Sequence, residues 1–290
     1  MKLTRITGIA AGLSLLVAGM QAQVSLPSVF TDHMVLQQKS EVPVWGWGAA
    51  SATIKVVGSW APLDTATAVV RSDGTWDTTL KTIGAGGPYT LSVLGDGTRE
   101  LKDVMLGEVW LCSGQSNMEW TPMHGIDNSE KEVAAANYPN IRFFHIPKRG
   151  AATPQNNCEA SWALCTPDRM KSTSAIAYFF GRDLQKDLNV PVGLIVSAWG
   201  GTPAEVWVPE EQIMNNPRIR DVMPDKTYPW WPVEPGVLYN QMISPVVPYA
   251  LAGAIWYQGE SNRDHPDSYG ILLKTMVESW RKSFKKDFPF

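Results

Sequence analysis

The sequence predicts an α/β protein preceded by a small all-β unit. Three observations predict it. From about Val104 onward, β-forming runs alternate with segments of helical period, the pattern of a mostly parallel sheet flanked by helices. Between residues 24 and 103, short runs rich in Val, Ile, Thr and Trp are separated by turn residues, the pattern of a small β-sandwich. The composition, 44% apolar and 18% charged over 290 residues, is that of a chain with a substantial core.

The elements follow in order. Lys2 and Arg5 precede an apolar run from Ile6 to Met20, and Gln21-Ala22-Gln23 supply small and polar residues after it. This is the layout of a secretory signal peptide over residues 1–23. The apolar run is shorter than the roughly 20 residues a bilayer span needs. No cysteine stands at the cleavage site, which argues against a lipoprotein. The expected mature chain is secreted or periplasmic, with no membrane attachment after signal removal.

Strands are then expected at Met34-Val35-Leu36, Val42 to Trp45, Ala52 to Val57, Ala68-Val69-Val70 and Tyr89 to Val93. The turns between them are Ser72-Asp73-Gly74, the run Gly84 to Pro88, and Gly95-Asp96-Gly97. These make up the expected sandwich, residues 24–103. The remainder, residues 104–290, carries strands at Val109 to Leu111, Ile141 to Ile146, Val192 to Ser197 and Ala254 to Tyr257. Helices are expected at Ser129 to Ala136, Ser174 to Leu188 and Ser268 to Phe284. The second helix shows Ile176, Ala177, Phe180 and Leu184 on one stripe and stops before Asn189-Val190-Pro191. The Pro-, Asn- and Trp-rich stretch from Pro203 to Pro248 reads as loops over the sheet edge.

Several function classes drop out. A net charge of −3 with no basic block leaves no electrostatic footprint for nucleic acid. No metal-ligand spacing and no phosphate-binding glycine loop occurs, so neither metal nor cofactor is expected. Cys158 and Cys165 are close enough in sequence to close a small disulfide loop in an oxidising compartment, whereas Cys112, inside an apolar strand, reads as buried and inert.

The chemistry gathers at strand ends. Gly114-Gln115-Ser116-Asn117-Met118 and Gln258-Gly259-Glu260-Ser261-Asn262 each follow a β-forming run, where open α/β sheets place their ligand crevice. Ser116 offers a nucleophile, and amide and N–H donors nearby offer an oxyanion site. It is not the G-x-S-x-G elbow of α/β-hydrolases, because Asn117-Met118 follow the serine. Val196 to Thr202 ends a strand in Gly200-Gly201, which can bring backbone N–H groups to a ligand or simply make a tight turn. Asn262 can supply a side-chain donor or cap the helix after it.

Three blocks resemble the SGNH (GDSL-like) hydrolases, and within them the sialate O-acetylesterase family. They are Gly107 to Trp120 (GEVWLCSGQSNMEW), Trp199 to Trp207 (WGGTPAEVW) and Trp256 to Asn262 (WYQGESN), within a similarity running from about Leu26 to the end. The resemblance implies an SGNH-type, flavodoxin-like parallel sheet with helices on both faces, preceded by the β-sandwich. It implies that Ser116 attacks the acetyl carbonyl of an O-acetylated sugar. Its oxyanion would be held by the Ser116 N–H, a glycine N–H of Gly200-Gly201 and the Asn262 side chain. By the chemistry of the residues, Glu260 orders the site by holding the Gln115 or Asn262 amide, and Gln115 lies at the substrate.

The family's base is a histidine in an Asp-x-x-His block well beyond the third block. None of His33, His124, His145 and His265 has that context, so the remaining strand, helix and Asp/His pair are expected outside this sequence. His145, in an apolar strand, reads as structural; His124 and His265 lie nearer the blocks. Among 13 tryptophans, Trp120, Trp199, Trp207, Trp230 and Trp231 fall near the expected crevice. The Pro-flanked Trp230-Trp231 pair is the stacking surface expected for a sugar ring.

The reading is a secreted carbohydrate O-acetylesterase, first of all a sialate 9-O-acetylesterase. An acetylxylan or polysaccharide acetylesterase of the same mechanism is the near alternative, and a non-catalytic carbohydrate-binding protein is the rival of another class.

Overall fold

The computed structural model describes residues 23–223 and 227–290. All but the last residue of the expected signal peptide lies outside the described residues. The N-terminal half is built of β1 (Val35–Gln37), β2 (Glu41–Trp47), β3 (Thr53–Gly58), β4 (Thr65–Val69), β5 (Thr75–Lys81), β6 (Gly86–Gly95) and the long β7 (Gly97–Gly114). The antiparallel order is β4-β3-β6-β7, with β1 parallel to β7, while β2 and β5 pair separately. Alternation turns Val42 and Val44 of β2, and Trp76 and Leu80 of β5, into the core that holds Ile54, Val56, Leu91 and Val93.

β7 does not stop at the expected boundary between 103 and 104. Its 18 residues run on into a second sheet, where it lies between β11 (Gly253–Tyr257) and β10 (Val192–Ala198), both parallel to it. Beyond β10 come β8 (Tyr138–His145), also parallel, and β9 (Trp162–Cys165), antiparallel at the edge. The same strand therefore serves both halves, and apolar residues of both halves form one continuous core.

Seven helices flank this sheet among the described residues: α1 (Ser116–Glu119), α2 (Ser129–Ala135), α3 (Pro167–Met170), α4 (Ala175–Leu188), α5 (Glu210–Met214), α6 (Pro217–Arg220) and α7 (Pro266–Phe284). Alternate strand residues feed two cores. Cys112, Leu194, Val196 and Phe143 pack with Ala177 and Tyr178 of α4. Leu111, Ile195 and Phe144 face the other way, in the core that includes Met276 and Trp280 of α7. Ser174 caps α4, accepting the Ala177 N–H at 3.1 Å, and Asn189 ends the helix in the left-handed region. The buried stripe of α4 differs from the expected one: Ala177 faces the sheet, but Ile176 is exposed and Gly181 is buried. A Cβ at Gly181 would lie 2.5 Å from Leu194 Cδ1, so the helix approaches β10 along its small residues.

Two further expectations are corrected. The stretch from Pro203 to Pro248 is not only surface loop, since Ala204, Val206, Trp207, Leu238, Met242 and Val246 are buried in the core. Trp207 is thus a packing residue, edge-on to Trp256 and accepting the Trp280 indole N–H at its carbonyl. Cys158 and Cys165 are not bonded to each other; both are free thiols, Cys158 in the core shared with the N-terminal strands and Cys165 in the core under α4. The two side chains belong to different cores, which keeps them apart. Burial pushes the Cys165 thiol up to about 11 and raises Cys158 and Cys112 as well, which leaves all three as thiols at neutral pH. The last four residues are irregular backbone. There Phe288 is buried and the Pro289 carbonyl accepts the Ala254 N–H of β11. No described helix is long and apolar enough to cross a membrane.

Candidate active site

The carboxyl ends of β11, β7 and β10 lie side by side, with Tyr257 opposite Gly114 and Gly114 opposite Ala198. The three blocks leave the sheet at these ends and converge on one edge. Gly114 makes the convergence possible. Its φ is +147°, and a Cβ there would lie 2.2 Å from the Tyr257 carbonyl oxygen. Gln115 follows as the residue before α1, and Ser116 is the first residue of that one-turn helix, half-buried at the sheet edge. First-turn N–H groups have no intrahelical acceptor, so the Ser116 N–H is available to an oxyanion.

Against Ser116 lies the Gly200-Gly201 turn. A Cβ on Gly200 would sit 3.2 Å from the Ser116 Cβ and 3.1 Å from a Glu119 carboxylate oxygen. That carboxylate is already engaged: its Oε2 accepts the Gly200 N–H at 2.5 Å, and its Oε1 accepts from Lys148 Nζ at 2.6 Å. Of the glycine pair, Gly201 keeps its N–H as the remaining donor. Glu119 and Lys148 were not among the expected site residues; the only sequence hint is that Glu119 shares the first block with Ser116.

The third block is tied to the first through two side chains, and not in the way expected. Glu260 holds neither the Gln115 nor the Asn262 amide; its Oε1 accepts from Asn117 Nδ2 at 2.7 Å. Gln115 is buried, and its carbonyl oxygen accepts the backbone N–H groups of Gly259 and Ser261 at 3.4 and 3.3 Å. It clamps one block to the other rather than lining an open surface. Asn262 is buried too. Its Nδ2 donates to Glu205 at 2.8 Å, while its Oδ1 accepts from the Ala204 N–H and from Gln258 Nε2. Gln258 in turn accepts the Tyr269 hydroxyl at 2.8 Å. Burial raises the Glu205 carboxyl above its ordinary value, and the Asn262 amide works against that.

Beside the blocks opens a cavity of about 400 Å³ lined by Gly201, Ser261, Glu260, Arg263, His265 and the aromatics Tyr228 and Trp231. Tyr228 and Trp231 stack on each other with ring centroids 4.9 Å apart. Trp231 lies over Gly201, where φ is +82° and a Cβ would come within 2.5 Å of the indole. Trp230, expected to act with Trp231, points to solvent and is 69% exposed. The reason is local: between two prolines the chain presents one indole inward and the next outward, and Tyr228 takes the inner place beside Trp231.

The histidines are spread out. His33 lies in the N-terminal half, bonded to Asp103. His124 packs against Trp120 and accepts from the Thr121 backbone. His145 closes β8, where burial first, and the Arg169 and Lys148 charges after it, hold the imidazole below its ordinary pKa despite Glu119. His265 lines the cavity just described. Among the described residues, no group of three or more His, Cys, Asp or Glu is arranged to hold a metal ion.

The carbohydrate esterase family described as sialic acid-specific acetylesterase matches residues 106–290. A human sialate O-acetylesterase is 32% identical over 282 residues, covering 89% of this chain and 53% of the relative. The orangutan (Pongo abelii) counterpart is 33% identical over the same shares. The chain therefore spans about half the length of the curated relatives it matches. Among solved structures, a carbohydrate acetylesterase from Xanthomonas citri aligns with a TM-score of 0.80 at 34% identity, over 91% of this chain and 58% of that one.

Proposed function

The chain belongs to the sialic acid-specific acetylesterase family of carbohydrate esterases, and from that premise we propose that Ser116 is the nucleophile of a secreted carbohydrate O-acetylesterase. Ser116 Oγ adds to the acetyl carbonyl of an O-acetylated sugar while a base takes its proton. The oxyanion of the tetrahedral intermediate is held by the Ser116 and Gly201 N–H groups and by the second amide hydrogen of Asn262. The sugar leaves as an alcohol, and water then releases acetate from the acetyl-enzyme. The single observation that carries this reading is the placement of Ser116, at the carboxyl edge of β7 and packed against the Gly200-Gly201 turn. The Tyr228–Trp231 stack supplies a flat apolar wall for the sugar ring. The signal-peptide layout of the sequence over residues 1–23 is the ground for proposing secretion, and the N-terminal strands are read as a small sandwich that braces β7.

Sialic acid acetylated at O9 is the first substrate in this proposal, by the family to which the chain belongs. One observation favours the second reading, a neutral acetylated polysaccharide such as acetylxylan. The cavity beside the blocks carries Glu260 and Asp264 against Arg263, a balance that attracts no carboxylate.

The test is acetate release from 9-O-acetylated sialic acid and from acetylated xylo-oligosaccharides by the intact protein. Ser116→Ala is expected to lower turnover by roughly 1000-fold or more on the true substrate. Unchanged acetate release in that variant overturns the nucleophile. Sugar binding without any turnover leaves the binding-protein reading. A histidine base requires activity to fall below about pH 6 to 7, whereas a rate flat down to pH 4 points to a carboxylate.

A further inference from the structure

We propose that the outer face of the β2–β5 pair is a second carbohydrate-binding site, remote from Ser116, for a neutral glycan chain. The register sets Trp45 opposite Asp77, Trp47 opposite Thr75 and Pro43 opposite Thr79. Directly opposed residues of an antiparallel pair share a face. The intervening Val42, Val44, Trp76 and Leu80 have already taken the inner face. Two indoles thus stand on the outer one with a row of hydroxyl and carboxylate groups: Trp45, half-buried and edge-on to Phe30, and Trp47 two residues on.

The polar row is held in place. Arg71 donates from Nε to Thr75 Oγ1 at 2.9 Å and from Nη1 to Asp77 Oδ1 at 2.5 Å, and Thr75 donates to Asp73. Residues Asn156, Pro248, Ala250 and Phe284 of the second half close the far side of the face, leaving a cavity of about 520 Å³. Clefts of this size, mostly apolar with a few fixed polar groups, are the usual form of small-ligand sites. Indole faces beside paired polar groups suit a pyranose, which has an apolar face of C–H bonds and a rim of hydroxyls.

The charges favour a neutral ligand. Arg71 and Asp77 neutralise each other, Lys286 donates to the Leu251 carbonyl, and Glu41 and Lys285 balance. Lys286 is the one charge left over, too little to hold a polyanion. The site also sits at the wrong end of the sheet to be part of the esterase crevice. Pro248 and Ala250 precede β11, whereas Tyr257 and the Ser116 turn lie at its far end, about 17 Å away for a five-residue strand. Two sites on one polymer make the second contact intramolecular, which raises the local concentration of acetylated units at Ser116.

The test is calorimetric titration of the intact protein with xylohexaose and cellohexaose, neutral and free of acetyl groups. Binding is expected, and it should weaken at least tenfold in Trp47→Ala and in Asp77→Ala. Hydrolysis of 4-nitrophenyl acetate, which spans no second site, should stay unchanged in both. Asp77 is exposed, so its variant keeps the readout if the tryptophan variant does not fold. No binding of either hexasaccharide up to millimolar concentration overturns the proposal. So does binding that survives Trp47→Ala and Asp77→Ala but is lost in Trp231→Ala, which assigns the sugar to the Ser116 crevice. Tighter binding of an anionic sialyl oligosaccharide overturns the neutral class.

Discussion

Gly200 gives its N–H to Glu119, so the glycine pair beside Ser116 divides its work: Gly200 anchors and Gly201 remains free to donate. Gly201 is also where Trp231 rests. Gly201→Ala should therefore cost about 1–2 kcal/mol for the left-handed backbone alone, and displace the indole as well. Chemical denaturation and tryptophan emission measure the two effects, and an unchanged spectrum would contradict the contact. Asn262 and Glu205 carry a second prediction. Burial raises the Glu205 pKa, so the folded state holds that proton more tightly than the unfolded chain. Its contribution is fully present below the ordinary value of 4.5 and is lost as pH rises through the folded value. Glu205→Gln, which still accepts from Asn262, should flatten that decline in a series of denaturation midpoints taken from pH 4 to 7. An equally steep decline in the variant would sink the assignment. The turns that carry Ser116 and Asn262 to one sheet edge were legible in the sequence because small polar residues interrupt apolar runs there. Glu119 and Glu205 were not, because their partners Gly200 and Asn262 are 81 and 57 positions away and only the fold brings them together.

At the scale of elements, β7 is fastened to β8 by a buried charge. Arg142 of β8 is 3% exposed and donates to both carboxylate oxygens of Asp103 in β7, with His33 on the same carboxylate. Burial alone raises the Asp103 pKa, but the bonds and charges of Arg142 and His33 outweigh it and hold the carboxyl below 3.8. A depressed acid stabilises above its unfolded pKa, and that contribution disappears as pH falls through the folded value. Asp103→Asn keeps a side chain that tolerates the observed φ of +53° and removes only the charge. It should lose about 1–2 kcal/mol at pH 7, with a gap to the parent that narrows below pH 4. A gap independent of pH would point to packing instead. The same scale shows which elements a sequence reveals. The 14 residues of α4 announce themselves by a serine cap, helical period and a terminal asparagine. β5 went unseen, because Thr75-Trp76-Asp77-Thr78-Thr79-Leu80-Lys81 offers only two buried apolar side chains, and β9 because four residues are too few to show a period. The outward turn of Ile176 was hidden for another reason: the stripe that faces a sheet depends on how closely the helix approaches, which Gly181 decides.

At the scale of the whole molecule, the expected division at 103/104 meets a strand that belongs to both parts and a core that continues across it. A fragment of residues 104–290 should then fail to fold to a fixed structure. Near-ultraviolet dichroism should be lost and dye binding gained, and a cooperative thermal transition in the fragment would show that the halves are separable after all. The change of pattern near Val104 was legible because a parallel sheet with helices reads differently from antiparallel hairpins. The continuity was not, since both patterns draw on the same apolar residues along β7. The strand also sets an order in time. On a ribosome, Gly114 emerges while its neighbours Ala198 and Tyr257 are still unmade, the latter by on the order of ten seconds at ordinary translation rates. During that interval the partners of the upstream half of β7 are already made, while the run Val109-Trp110-Leu111-Cys112 has both of its edges bare. Bare apolar edges recruit other chains. How long these edges stay bare is therefore fixed by where β7 stands in the order of synthesis.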